Sequence, residues 1–483
     1  MDTPPKSEST SVEHATTHRL EYTDAEARKV LRKLDWHILP FCFLLYTFSV
    51  LDRGNLGNAK LAGLDTDLGL TSDQYTWLGT IFYIAYIVFQ FTSMGWKIFK
   101  PHQWVTFVVF FWGTVSTLQA VCTNWKGLMA CRFLLGVAET MFGPGIPLYF
   151  SFFYPRRHMG LRFGLFLSGA ALANAYSGAL AYGISHIHSS VSNWKIIFII
   201  EGAPTALLAL ITWFFLPDSP REAKFLTPRE REIALHLADD HQAQTEDPGQ
   251  TGIHFKNLFD AFKDYRNWLF GLSNFSTNVS FASLPLFLPT IISEFGTYST
   301  LTSNGLSAPP YLLSFFLIIG VSFFSDRFRV RGPFAAFFAS LSAIGYLILA
   351  LTDAVSARYV SCFLIVTIFV TVSIVLVWNA NTNENESKRT GGVWIIQTVG
   401  QCGTVLGTHS FPSNQKPYYR RGMWTGFGFS LFSALICTTL SFVLWQENKR
   451  RDQLYGKVDR TTEMGHDEDN GDLPAEAKFR YII

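Results

Sequence analysis

The chain divides into twelve runs of about 20 mostly apolar residues, beginning near Trp36, Tyr75, Gln103, Trp125, Gly160, Trp194, Trp268, Thr302, Pro333, Tyr359, Thr390 and Gly422. At 1.5 Å per residue such a run crosses a hydrocarbon core of ~30 Å. Inside that core every backbone N–H and C=O must be satisfied within the segment, so the runs are read as membrane-spanning α-helices. Composition agrees with that reading. Of 483 residues 48% are hydrophobic and 16% charged, whereas a soluble chain carries about a quarter charged residues.

A polar segment, Pro217 to Arg266, separates the sixth run from the seventh. The expected fold class is therefore an all-α membrane protein with twelve transmembrane helices in two pseudo-symmetric six-helix bundles. The division predicted is 1–35, an N-terminal segment with an amphipathic helix; 36–216, the first bundle; 217–266, a central loop; 267–446, the second bundle; and 447–483, a tail. Thr227-Pro228-Arg229-Glu230 has the form of a capping box with Pro at the first helical position and predicts a short helix to about Asp240. Thr23-Asp24-Ala25-Glu26 predicts another helix start, leading into the first span. Residues 1–20 and 457–476 are polar and expected to be disordered.

Basic residues accumulate on cytoplasmic loops. Here they gather before the first span (Arg28, Lys29, Arg32, Lys33), on the even-numbered connections (Lys97, Lys100, Arg156, Arg157, Arg162, Arg327, Arg329, Arg331, Lys388, Arg389) and after the last span. The exception is Lys416 with Arg420 and Arg421 on an odd-numbered connection. Both termini are expected in the cytoplasm, the plasma membrane is the expected location, and no apolar stretch of a cleavable signal peptide is read before the first span.

The six cysteines are scattered singly, and His186 and His188 are read as a solvated loop pair, so no metal site is expected. No Gly-rich phosphate loop is present, which argues against ATP-driven transport. No Ser/His or His/Asp constellation suggests an enzyme. Neither a cofactor nor a nucleic-acid partner is expected. The four fifth-span glycines Gly164, Gly169, Gly178 and Gly183 read as close helix packing.

Against this apolar background the stretch SVLDRGNLGNAKLAG is anomalous, because Asp52 and Arg53 fall inside the first span. A mid-bilayer charge costs ~2.5–3.5 kcal/mol even on the lenient insertion scale, so it must face a cavity or a partner. Counting from Trp36, Asp52 lies ~24 Å along its helix; counting back from Trp125, Arg132 lies ~10 Å and Glu139 ~21 Å along the fourth. Arg132 is thus level with Asp52 and Arg53. The seven-residue spacing of Arg132 and Glu139 puts both on one helix face. An acid whose Arg partner can be claimed by an anion is a proton switch, since the nearby cation sets its proton affinity.

The chain resembles the fungal anion:cation symporters of the major facilitator superfamily, the allantoate and nicotinate permease group. The resemblance lies in LDRGNLGNAKLAGL, RFLLGVAETMFGPG, LPDSPREAKFL, FLPTII, APPY, SDRFRVR, Lys388-Arg389 and the terminal FRYII. It implies the major facilitator fold, proton coupling through Asp52 and Glu139, substrate binding by Arg53, and a tuning role for Arg132. Further lining candidates are Tyr83, Tyr86, Asn174, Asn274, Asn278, Trp378, Asn381, Gln397 and Gln401, polar or amphipathic residues in apolar surroundings. Asp326, Arg327, Arg329 and Arg331 form a candidate gate, a charge network able to hold neighbouring helices in one of two packings. The expected function is proton-coupled uptake of a small organic anion by a monomer in the lipid bilayer. Proton-antiport export of a drug or secondary metabolite is the alternative, and a non-transporting sensor is the third reading.

Overall fold

The computed structural model describes residues 22–155, 158–184, 186–187, 189–242, 260–295, 299–383, 386–456 and 480–483. Residues 1–20 and 457–476, Arg156, Arg157 and His188, on which some expectations rested, lie outside the described residues.

All twelve runs are helical. Spans 1 to 6 are Asp24–Leu61, Ser72–Val88, Pro101–Leu118, Trp125–Thr140, Met159–Ile184 and Asn193–Phe215. Spans 7 to 12 are Tyr265–Ser293, Thr300–Phe328, Gly332–Leu351, Val355–Ile365 continued by Ile368–Thr382, Glu386–Thr408 and Arg420–Tyr455. Both predicted capping boxes form: Glu26 with Thr23 starts span 1, and Glu230 returns to the Thr227 N–H at 3.0 Å to start the central helix Pro228–Gln242. The last span runs on to Tyr455, past the boundary expected at 446.

Ten of the described helices are long and apolar enough to cross a bilayer on their own. Spans 2 and 11 fall outside that group. Span 2 has only 17 residues before a 3-10 turn at Gln90–Met94, and span 11 carries Lys388, Arg389, Gln397 and Gln401. These two helices pack on each other across the molecule, so their polar faces meet protein and cavity rather than lipid.

The halves repeat one plan. Spans 1 and 5, 3 and 6 pair in the first half, as do 7 and 11, 9 and 12 in the second. The halves then meet through 5 with 8, 11 with 2, and 1 with 7, the set of contacts that a twofold relation between halves requires. Polarity is inverted relative to a soluble protein. Phe110, Leu207, Phe214, Phe316 and Phe337 face outward, while Asp52, Arg132, Glu139 and Glu201 are at most 1% exposed.

On the face away from the chain ends the halves are in tight contact. Pro289 has no N–H to give the Pro285 carbonyl, and the first span closes on that carbonyl through Gly57, where a Cβ would stand 2.4 Å from the oxygen. The Thr80 and Thr408 hydroxyls are 2.9 Å apart nearby. Of the four fifth-span glycines, Gly164, Gly169 and Gly178 are sites of close packing, whereas Gly183 meets nothing within 4 Å and that reading fails there. Cys122 and Cys131, expected to stand singly, bring their Sγ atoms to 3.8 Å.

On the face holding the chain ends, residues Arg480 to Ile483 dock on the second half. Trp378 Nε1 donates to the Ile482 carbonyl (2.7 Å), Asn448 makes two hydrogen bonds to the Tyr481 backbone (both 2.9 Å), and the Arg331 N–H donates to the Ile483 carbonyl. Tyr481 lies between the guanidinium groups of Arg266 and Arg451, each 4.9 Å from its ring centre.

Candidate functional site

Span 1 turns Asp52 and Arg53 to different neighbours. Arg53 reaches the fourth span, where its NH2 and Nε donate to Glu139 Oε2 at 2.6 and 3.1 Å. Ser49, one turn earlier, donates to the same oxygen at 3.1 Å. The Arg53 guanidinium also lies over Phe82 (5.2 Å) and Tyr86 (5.4 Å), a cation–π setting that holds it without neutralising it. Asp52 instead faces the third and sixth spans: Ser116 donates to its Oδ1 at 2.5 Å, and Oδ2 has no hydrogen-bond partner.

Arg132 sits level with both, as the depth count expected. Its NH1 and NH2 point at the main-chain carbonyls of Asp52 (3.5 Å) and Arg53 (3.3 Å). It therefore clamps the backbone that carries the acid and the base. Its charge also reaches Asp52 and Glu139 through space.

Three adjoining cavities run between the halves. The first is lined by Arg53, Tyr83, Arg132 and Asn174. The second is lined by Arg53, Tyr86, Asn274, Asn278, Gln397 and Gln401. The third is lined by Gln397, Asn381, Arg389 and Met159. Arg53 borders the first two and Gln397 the last two. Most of the expected lining residues thus meet along one continuous surface of mixed aromatic, amide and cationic character.

Some expectations need correcting. Trp378 lines none of the three; its indole is fully buried and engaged with the Ile482 carbonyl, because the 480–483 segment packs beneath it. Asn274 is a lining residue that is also a structural one, since its Nδ2 donates to the Ile396 carbonyl (3.0 Å) and ties span 7 to span 11. Of the gate candidates, Asp326 and Arg331 pair at 2.9 Å and press on Gly160 of the first half, where a Cβ would stand 2.3 Å from Asp326. With its amide in the orientation that satisfies both atoms, Asn381 accepts from Arg331 at 2.8 Å. Arg327 and Arg329 are exposed at the helix end, Arg329 in a left-handed conformation (φ 54°).

Two residues escaped the sequence reading. A span beginning at Thr390 leaves Arg389 in a loop; the helix begins at Glu386 instead and brings Arg389 to the lining of the third cavity. Glu201 stands in the apolar run FIIEGAPT and carries the same signal as Asp52, an acid inside a span.

The Major Facilitator Superfamily profile matches residues 42–408. The chain is 33% identical over 415 residues to the major facilitator-type transporter hxnP of Emericella nidulans, covering 82% of each chain. It is 28% identical over 461 residues to the high-affinity nicotinic acid transporter of Saccharomyces cerevisiae, covering 94% of this chain and 85% of that one. Among solved structures the proton:xylose symporter XylE bound to 6-bromo-6-deoxy-D-glucose superposes with a TM-score of 0.64 at 14% identity, over 84% of this chain and 95% of the other.

Proposed function

The chain belongs to the Major Facilitator Superfamily, a multi-pass membrane transporter and not an enzyme, and on that premise we propose that it couples proton entry to uptake of a small organic anion. The observation that carries the proposal is the Arg53 to Glu139 pair at the edge of the central cavities. While Glu139 is ionised it occupies Arg53. A proton on Glu139 releases the guanidinium, whose two-pronged donor set then suits a substrate carboxylate.

In this cycle Asp52 and Glu139 load protons from outside, Arg53 takes the anion, and the halves rock about the cavity to open it to the other side. Proton and anion then leave into a less acidic cytosol. Arg53, Arg132 and Arg389 set positive charge along the cavity line, which favours a carboxylate over a neutral or cationic cargo. Asp326 with Arg331 serves as the inner gate. Under this proposal both termini lie in the cytoplasm, the plasma membrane is the site of action and the monomer is the working unit.

One relative is a high-affinity nicotinic acid transporter, so nicotinate is the first probe, followed by other carboxylated vitamins and nitrogen sources. Radiolabelled uptake is measured in a host lacking its own carboxylate carriers, at several external pH values. Accumulation that rises with external acidity and collapses with a protonophore supports symport. Extrusion of the probe driven by the same gradient overturns it in favour of antiport.

A further inference from the structure

Glu201 is a buried polar group that the site described above does not account for. It is 1% exposed, and neither Oε1 nor Oε2 has a hydrogen-bond partner. Burying a carboxyl group this way is costly and persists only where something offsets it or uses it. Its surroundings are fixed by two close approaches of spans 3 and 6: a Cβ at Gly113 would meet the Ala206 N at 2.3 Å, and one at Gly202 the Thr117 N at 2.6 Å. Those contacts hold span 6 so that Thr205, one turn after Glu201, faces Asp52. Gly202, the residue after Glu201, packs on Ser116, where a Cβ would stand 3.0 Å from the carbonyl carbon, and the Ser116 hydroxyl is the group that donates to Asp52 Oδ1, so one span-3 residue bridges the two acids' neighbourhoods.

The charged groups bearing on Asp52 from other helices are Glu201 of span 6 and Arg132 and Glu139 of span 4. The Ser116 hydroxyl donates to its Oδ1, and the polar side chains of Thr205 and Trp112 stand beside it. Two carboxyl groups so placed in a low-dielectric interior cannot both be ionised cheaply, which makes them a place where one proton is shared. The run of span 6 gives the pair a direction. Span 6 starts at the face away from the chain ends, so Glu201 stands one turn, ~6 Å, nearer that face than Thr205, the span-6 residue beside Asp52, while Glu139 lies deeper, ~21 Å along span 4.

We infer that Glu201 is the outer partner of Asp52 in proton transfer, receiving the coupling proton first and passing it inward. In the step an O–H bond breaks on Glu201 and one forms on Asp52, so the negative charge moves outward from Asp52 to Glu201 with no other reactant consumed. The inference rests on the symport reading above. It adds a third acid to it and gives the three an order.

Infrared pH titration of the purified full-length protein tests the pair without any substrate. The protonated C=O stretch of Asp52, identified by its loss in Asp52→Asn, is followed in wild type, Glu201→Gln and Glu201→Asp. Glu201→Gln is expected to move the pH midpoint of the Asp52 band by roughly one pH unit or more, because a coupled neighbour has been removed. Glu201→Asp, which keeps the acid, is expected to restore a coupled titration. An Asp52 midpoint unchanged in a monodisperse Glu201→Gln protein overturns the inference. If Glu201→Gln does not fold, a Glu201→Asp titration identical to that of Asp52 in isolation overturns it equally.

A second arm uses nicotinate in proteoliposomes. Glu201→Gln is expected to lose at least about tenfold of proton-driven accumulation while retaining nicotinate counterflow. Equal loss of both overturns the relay. Absence of nicotinate transport by the wild type counts against the substrate reading alone, and the infrared result then decides the role of Glu201.

Discussion

Arg53 spends both of its near donors on one oxygen of Glu139, Oε2, and leaves Oε1 of that carboxylate without a partner. The pair is thus one-sided: the acid is held by the base, Ser49 adds to the same oxygen, and the base still borders two cavities. An arrangement that served only to bury an ion pair would be expected to satisfy both oxygens.

Glu139→Gln removes the exchangeable proton and keeps the shape. Proton-driven accumulation should fall by at least about tenfold, while exchange of internal for external substrate continues, because Arg53 is no longer occupied by a charge. Parallel accumulation and counterflow assays at two external pH values check this. Accumulation with the wild-type pH dependence would remove Glu139 from the coupling step.

Arg53→Lys keeps the charge but loses the fork. Binding of a carboxylate ligand should weaken by about tenfold or more, corresponding to one lost charge-assisted hydrogen bond. The amide of the same ligand should bind wild type weakly and lose little further. Competition assays in a two-by-two comparison of acid and amide against wild type and Arg53→Lys give the result; additive losses would sink the carboxylate clamp.

The contact between Thr80 and Thr408 joins the halves on the face away from the chain ends. Thr80→Cys with Thr408→Cys should therefore form a disulfide, since a 2.9 Å separation of the hydroxyls places the Cβ atoms near the range such a bridge needs. Mild oxidation should arrest transport and a reductant should restore it. Arrest without a bridge on non-reducing mass analysis would exclude a lock as the cause.

Asp326→Ala leaves the buried Arg331 without its carboxylate. Turnover should slow several-fold with substrate affinity within about twofold, because the pair presses on Gly160 of the other half and neither residue itself lines a cavity. Initial-rate kinetics separate the two. Lost affinity at normal turnover would move Asp326 into the binding site.

Glu230, on the central helix, is held below its ordinary value of 4.5 chiefly by the hydrogen bond from Lys33 (2.7 Å), with the Thr227 backbone adding to it. A depressed carboxyl stabilises the fold above its unfolded value and ceases to do so as pH falls through the folded one. Thermal stability should therefore decline below pH 4.5 by a step that Glu230→Gln lacks. With Lys33 about a third exposed, the step should not exceed about 1 kcal/mol.

The spans were legible because length and apolarity are local properties, and the capping boxes because each needs only four residues. The level of Asp52, Arg53, Arg132 and Glu139 could be counted, since helix rise is constant. Glu201 was equally visible by the rule that flagged Asp52, but nothing local links it to a partner 149 positions away in sequence. Arg389 was misplaced by a boundary error of four residues, the scale on which helix ends are least certain. Trp378 could not have been assigned, because what it binds, the Ile482 carbonyl, lies 104 residues on.

The docked segment Arg480 to Ile483 has a mechanical meaning. It touches the start of span 7 through Arg266, the connection before span 9 through Arg331, span 10 through Trp378 and span 12 through Asn448 and Arg451. Four helix ends that could otherwise splay are splinted into one stiff lever. Rocking of the second half would then have to carry these four ends together, so that wear in the splint, such as loss of the Tyr481 ring, is expected to blunt the stroke although Tyr481 borders none of the three cavities.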